Sequence, residues 1–139
     1  MGFEQFTFRI INDPDCACGS LMVVEGERDI PFSIARVFFV YGVGEGQVRG
    51  EHAHLKTSQI LCCIRGSCEI TLDDGRDKET FILDSPDKAI LQRPLVWGRI
   101  THLQPGSMLM VLCDQPYDPE EYIYDYETFL SLTRERNGG

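Results

Sequence analysis

Across residues 67–73 the side chains alternate without a break, with Cys68, Ile70 and Leu72 on one face and Glu69, Thr71 and Asp73 on the other. A period of two marks a half-buried β-strand, because successive side chains of a pleated backbone point to opposite sides. Asp74-Gly75, a pair suited to a two-residue hairpin turn, follows, and Glu79-Thr80-Phe81-Ile82-Leu83 reads as the returning strand. Similar β-rich runs occupy residues 6–11, 34–41, 59–64, 89–92 and 108–113. Short strands broken by turns at this spacing bury their apolar faces in a sandwich or a barrel. The sequence reads as all-β.

One helix is expected, over residues 119–134. Asp118 can cap it, Pro119 suits its first position and Glu121 completes a capping box. Tyr122, Tyr126, Phe129 and Leu130 recur at i, i+4, i+7 and i+8, an apolar stripe that packs on the outside of the strands. Residues 134–139 read as a frayed end. The chain has 139 residues, 42% of them apolar, and no repeat, linker or low-complexity stretch. Residues 1–139 are therefore expected to form one domain with a substantial core.

A net charge of −9 argues against nucleic acid or an anionic membrane as partner, since both are negatively charged. No apolar run is long enough to cross a bilayer, and the first residues carry no basic-then-apolar signal. The expectation is a soluble cytoplasmic protein, whose six cysteines stay reduced. Cys62, Cys63, Cys68 and Cys113 lie in strand-like runs, where a thiol behaves as a small hydrophobe. Cys16-x-Cys18 has no partner pair at zinc-site spacing.

Two of the three histidines stand together in His52-Ala53-His54. On a strand they share a face, about 6–7 Å apart along the backbone. Such a pair can hold a metal or serve neighbouring atoms of one sugar ring. The run G-Q-V-R-G-E-H-A-H-L-K-T-S-Q-I-L-C-C-I-R-G over residues 46–66 resembles the first cupin motif. That motif is Gly, five residues, H-x-H, four residues, an acid, six residues and Gly, and only the acid is replaced, by Gln59. The resemblance implies a cupin jelly-roll barrel carrying a short C-terminal helix.

A second cupin motif supplies a third histidine, but R-P-L-V-W-G, residues 93–98, puts Gly98 at its place. An amide oxygen is a poorer ligand than a carboxylate, so half of the usual ligand set is missing. Without a metal, imidazoles keep their lone pairs and titrate near neutrality, which suits proton transfer. No metal and no cofactor are expected. Two competing readings remain: a metal-dependent cupin using His52, His54, Gln59 and His102, and a non-catalytic sugar-nucleotide-binding cupin. His102 otherwise reads as a surface residue and Lys56 as an exposed turn charge.

The strings I-P-F-S-I-A-R-V-F-F-V-Y, V-R-G-E-H-A-H and R-G-S-C-E-I-T-L-D-D-G resemble the dTDP-sugar 3,4-ketoisomerases. So do M-L-M-V-L-C-D-Q-P-Y-D and Y-I-Y-D-Y-E-T-F-L, in the family's order over residues 21–130. The resemblance implies a homodimer acting on a dTDP-linked 4-keto-6-deoxyhexose, dTDP-4-keto-6-deoxyglucose. The product would be a 3-keto-6-deoxyhexose nucleotide, made into a 3-amino sugar by transamination and destined for surface polysaccharides such as O-antigen or for natural-product glycosides. An N-terminal strand within residues 1–20 is expected to exchange between subunits.

By position, the resemblance makes His52 and His54 the catalytic pair, with Arg49 the arginine before them and Arg36 at an R-V position. Relatives commonly carry tyrosine where Phe38 and Phe39 stand, so Tyr41, on the face of Phe39, is the candidate phenol. His52 is expected to remove the C3 proton, and His54 to manage protons at C4 and on the oxygens. Arg49, then Arg36, would steady the enediolate or grip the pyrophosphate. Gln59, Trp97, Arg93 and Arg99 are further candidate substrate contacts, Trp97 by stacking on thymine or sugar.

Overall fold

The computed structural model describes residues 2–137. In chain order the strands are β1 (Gln5–Thr7), β2 (Arg9–Ile11), β3 (Leu21–Val23), β4 (Arg36–Val40), β5 (Val48–His54), β6 (Gln59–Arg65), β7 (Cys68–Asp73), β8 (Lys78–Leu83), β9 (Lys88–Gln92), β10 (Trp97–His102), β11 (Met108–Cys113) and β12 (Tyr122–Ile123). Helix α1 (Tyr126–Arg136) follows. One sheet has the order β1-β9-β6-β11-β4 and the other β12-β5-β10-β7-β8, every ladder antiparallel. This is the two-sheet jelly roll that the cupin resemblance implies.

Three apolar clusters explain the sequence patterns. Leu61, Cys63, Ile70, Leu72, Leu109 and Val111 meet between the sheets. On the outer side of the first sheet, Ile60, Cys62, Leu91 and Leu112 pack under Phe8, Ile30 and other residues of the N-terminal third. Both faces of β6 are therefore covered, and its run Ile60-Leu61-Cys62-Cys63 is apolar without alternation. The third cluster, Ala53, Ile123 and Phe129 with Trp97 and Leu130, joins helix α1 to the outer face of the second sheet.

The structure corrects several sequence expectations. Pro119–Glu121 is a single 3-10 turn capped by Asp118, and the chain then pairs as β12 with β5 before α1 begins. Asp125, accepting from the Thr128 amide, is the true cap of α1. The helix runs through Arg136, so residues 134–136 are ordered helix, while residues 138 and 139 lie outside the described residues. The β7–β8 hairpin turns at Asp74-Gly75 as expected, over residues 74–77, with Asp74 accepting from the Arg76 and Asp77 amides. Cys16 and Cys18 are joined in a disulfide; the other four cysteines are free.

Helix α1 is docked at both ends. Tyr126 donates to Asp73 at 2.5 Å, and Arg136 donates to the carbonyls of Leu95 and Asp74. Thr133 lies where a Cβ at Gly75 would meet its Oγ1 at 2.6 Å, so only glycine admits the helix there. Phe129 is completely buried in this contact. Phe129→Ala is expected to cost about 3–5 kcal/mol, as large-to-small core changes do, and urea unfolding measures it. A loss below about 1 kcal/mol would show that α1 is not anchored by this ring.

Candidate active site

Strand β5 carries the H-x-H, and its register decides what faces inward. Residues opposite each other across an antiparallel pair share a face. His52 lies opposite Gly98 and His54 opposite Tyr122, whereas Ala53 opposes Ile123 in the outer cluster. The β5–β10 ladder then slips, so that Arg49 opposes Ile100, whose side chain belongs to the inner core. Gly50 accommodates this bulge at φ +69°, a conformation that glycine adopts without strain. The extra residue brings Arg49 to the same face as His52, although simple alternation would turn it away.

The two imidazoles are linked. His52 Nε2 and His54 Nε2 are 3.1 Å apart, and His54 Nδ1 lies 2.9 Å from a carboxylate oxygen of Glu121. Glu121 is 3% exposed and also accepts from the backbone amides of Lys56 and Thr57 and from the Thr57 hydroxyl. Although burial disfavours its charge, these hydrogen bonds hold the carboxyl below its ordinary value. Burial, reinforced by His54, pushes the His52 imidazole down to about 4. Burial also lowers His54, outweighing the pull of Glu121.

Proton placement follows from the donor inventory. A carboxylate only accepts, so His54 Nδ1 carries a hydrogen and, in the neutral ring, Nε2 is an acceptor. His52 Nε2 therefore donates to it, and the lone pair of His52 sits on Nδ1. The result is a neutral base backed by a histidine and a carboxylate.

A cavity of about 340 Å³ opens in front of His52, lined also by Arg49, Gln59, His102, Tyr122, Tyr124 and apolar side chains. The rings of Tyr122 and Tyr124 stack at 5.8 Å, and Tyr122 stands 5.1 Å from His52. Arg36 donates from Nη1 to the Tyr122 hydroxyl at 3.4 Å, and its guanidinium lies over the Phe38 and Tyr117 rings. Its Nε and Nη2 are buried with no nitrogen or oxygen partner among the described residues. Gln59 donates to Gln92, which donates in turn to the Val96 carbonyl.

Several expected site residues lie elsewhere. Alternation along β10 points Gly98, Ile100 and His102 inward, so Trp97 and Arg99 face outward. Trp97 packs against Tyr126 and Phe129 beneath α1, and Arg99 pairs with Glu51. Arg93 is paired with Glu4. Tyr41 does share the face of Phe39, but that is the outer face of the sheet, and Tyr41 is 70% exposed. His54 is 1% exposed and sits behind His52 rather than on the cavity wall.

His102 is not a surface residue: it is fully buried on the inward face of β10. The four residues of the metal-dependent reading do not form a ligand set. Both His54 nitrogens are engaged, Gln59 is tied to Gln92, and among the described residues no three His, Cys, Asp or Glu side chains converge on an ion position. The sequence reading missed Glu121 and Tyr122. Their only sequence signal is the Y-D-x-x-x-Y-I string, in which Glu121 suits a capping box equally well.

The family described as "FdtA: WxcM-like, C-terminal" matches residues 1–134. The chain belongs to this family. TDP-4-oxo-6-deoxy-alpha-D-glucose-3,4-oxoisomerase of Aneurinibacillus thermoaerophilus is 39% identical over 111 residues, 80% of each chain. QdtA, a sugar 3,4-ketoisomerase from Thermoanaerobacterium thermosaccharolyticum solved with TDP, superposes with a TM-score of 0.89 at 32% identity over 96% of this chain and 95% of its own. WlaRA, a TDP-fucose 3,4-ketoisomerase from Campylobacter jejuni, gives 0.88 at 32% identity over 97% and 98%. The FdtA-family site here thus sits in the fold of known sugar ketoisomerases.

The depressed His52 value has a consequence for stability. The folded ring stays neutral down to about pH 4, while the unfolded ring binds a proton below about 6.5. This contribution is full above pH 6.5 and is lost as pH falls toward 4. The melting temperature should drop between pH 7 and 4.5, and His52→Asn should flatten that slope. Identical slopes in the two proteins would contradict a buried neutral imidazole.

Proposed function

We propose that this chain isomerises dTDP-4-keto-6-deoxyglucose to a dTDP-3-keto-6-deoxyhexose by moving protons through an enediolate. The observation that carries this reading is the neutral His52 on the cavity wall, coupled through His54 to the buried Glu121. The C4 ketone acidifies the C3 proton, and a base that is unprotonated at pH 7 can remove it. His54 acts through His52: its hydrogen bond fixes the ring, and Glu121 favours the imidazolium that forms. Arg49, free of any carboxylate partner among the described residues, offers a cation to the diphosphate or the enediolate. The buried donors of Arg36 and the Gln59 amide supply further contacts.

The same reading covers the setting. The product is a ketone suited to transamination, giving a 3-amino sugar for surface polysaccharide such as O-antigen or for a glycoside. A nucleotide-activated substrate places this step in the cytoplasm, and no helix of the described residues is long and apolar enough to cross a membrane. Two copies associate, covering Val37 and Phe39 on the outer face of β4 and Ile10, Ile11 and Leu21 on the β2–β3 hairpin, which are exposed in the single chain.

Incubation with dTDP-4-keto-6-deoxyglucose in deuterated water, followed by NMR, tests the reaction. A 3-keto product is expected, with deuterium at C4 in the fraction of turnovers in which the proton on His52 exchanges with solvent; unchanged substrate would refute the assignment. His52→Asn should abolish turnover while dTDP still binds. Glu121→Gln removes the charge behind His54 and should lower kcat by about 10–100-fold, measured in the same assay. Activity at the wild-type level would remove Glu121 from the mechanism.

A further inference from the structure

Moving a ketone from C4 to C3 relocates two protons, one from carbon to carbon and one from oxygen to oxygen. His52 suffices for the first. It cannot also serve the oxygens at the moment it holds the carbon proton, and His54 is closed off behind it with both nitrogens engaged. The oxygens need a second group on the cavity wall. Phe38 and Phe39 have no hydroxyl, and Tyr41 lies on the outer face. Tyr124 borders the cavity but is 70% exposed, and no hydrogen bond among the described residues holds its hydroxyl.

Tyr122 meets the requirement. Its ring lies 5.1 Å from His52 and 4.4 Å from His54, and its hydroxyl accepts from the half-buried Arg36. Pairing of β12 with β5 places it opposite His54, on the inward face. We propose that Tyr122 is the general acid and base for the two sugar oxygens, and that Arg36 is the positioning residue that holds its hydroxyl and steadies the phenolate. This deepens the ketoisomerase reading and rests on it.

The steps balance without a co-reactant. His52 Nδ1 takes the C3 proton, and the electrons of that bond form C3=C4. The π electrons of C4=O move to O4, which receives the Tyr122 proton. The phenolate, beside Arg36, then takes the proton from O3, and the electrons of that O–H bond form C3=O. The C3=C4 pair collects the proton held by His52 at C4. Both residues end in their starting states.

The hydroxyl is set among Arg36 from β4, Cys113 from β11, His52 and His54 from β5, and the adjacent Glu121. Burial raises the phenol above its ordinary value and outweighs Arg36, so it stands protonated at neutral pH, loaded as an acid. The same cation, buried with two donors that have no nitrogen or oxygen partner among the described residues, favours the phenolate once it forms.

Tyr122→Phe removes the oxygen and keeps the ring against His52. It should lower kcat by about 10²–10⁴-fold while calorimetric dTDP affinity stays at the wild-type value. Replacing Tyr122 with 3-fluorotyrosine, which retains the hydroxyl but acidifies it, should keep activity and shift the alkaline limb of the kcat–pH profile to lower pH. A structural ring would move neither readout. The proposal is overturned if the wild type turns over its substrate and Tyr122→Phe matches it, or if fluorotyrosine leaves the limb in place. A wild type that binds dTDP but never isomerises the sugar overturns the ketoisomerase reading, and this one with it.

Discussion

A single buried carboxylate, Glu121, ties the site together. Removing a charge from water is tolerated only when hydrogen bonds replace the lost hydration. Glu121 has four such donors: the amides of Lys56 and Thr57, the Thr57 hydroxyl and His54 Nδ1. All come from the end of β5 and the turn that follows, so satisfying one charge locks the C-terminal segment beside the H-x-H. The Glu121 carbonyl also accepts from Leu55. This anchor starts β12 in register with β5 and places Tyr122 across from His54. The aromatic wall and the His52 lone pair thus share one cause.

The opposite side of the cavity shows how a metal-type motif is filled without a metal set. Gln92 donates to the Val96 carbonyl, which can only accept, so its own oxygen faces Gln59 and Gln59 must donate. That fixes the orientation of both amides. A Cβ at Gly98 would come within 2.6 Å of the Gln92 amide nitrogen. The space that a third histidine side chain would enter is therefore occupied by an amide. Gln59 and Gly98, separate departures in sequence, are one adaptation in the fold.

The strands were legible because burial imposes period two, and even the unalternating β6 followed once both of its faces were covered. Within the site, legibility depended on whether a residue obeyed its local pattern. His52 and His54 did. Arg49 faces the cavity only because the Gly50 bulge shifts the register, so its placement was read from resemblance and not from alternation. Tyr41 obeyed alternation perfectly but on the outer face, a distinction that requires knowing which side the second sheet covers. Trp97 and Arg99 failed because β10 was not recognised as a strand, its run being broken by Gly98, Arg99 and Thr101. Glu121 satisfied a capping-box pattern that Asp118 fulfils alone, and its true partner is 67 residues away. No local signal reports a contact of that kind.

Charge placement gives the cavity its selectivity. The chain carries −9 overall, yet the proposed ligand is an anion. Exposed arginines do not resolve this: Arg93 and Arg99 are matched by Glu4 and Glu51, and surface pairs of this kind are screened within about 10 Å at 0.1 M salt. Arg36 and Arg49 differ in having no carboxylate partner among the described residues. Arg36 is also desolvated between aromatic rings, where its field is screened far less than in water. An acidic exterior discourages polyanions from binding across the surface, while Arg36 and Arg49 offer an anion two guanidinium groups near His52. In the proposed reaction, affinity for the nucleotide and alignment of its sugar with His52 then arise at the same place.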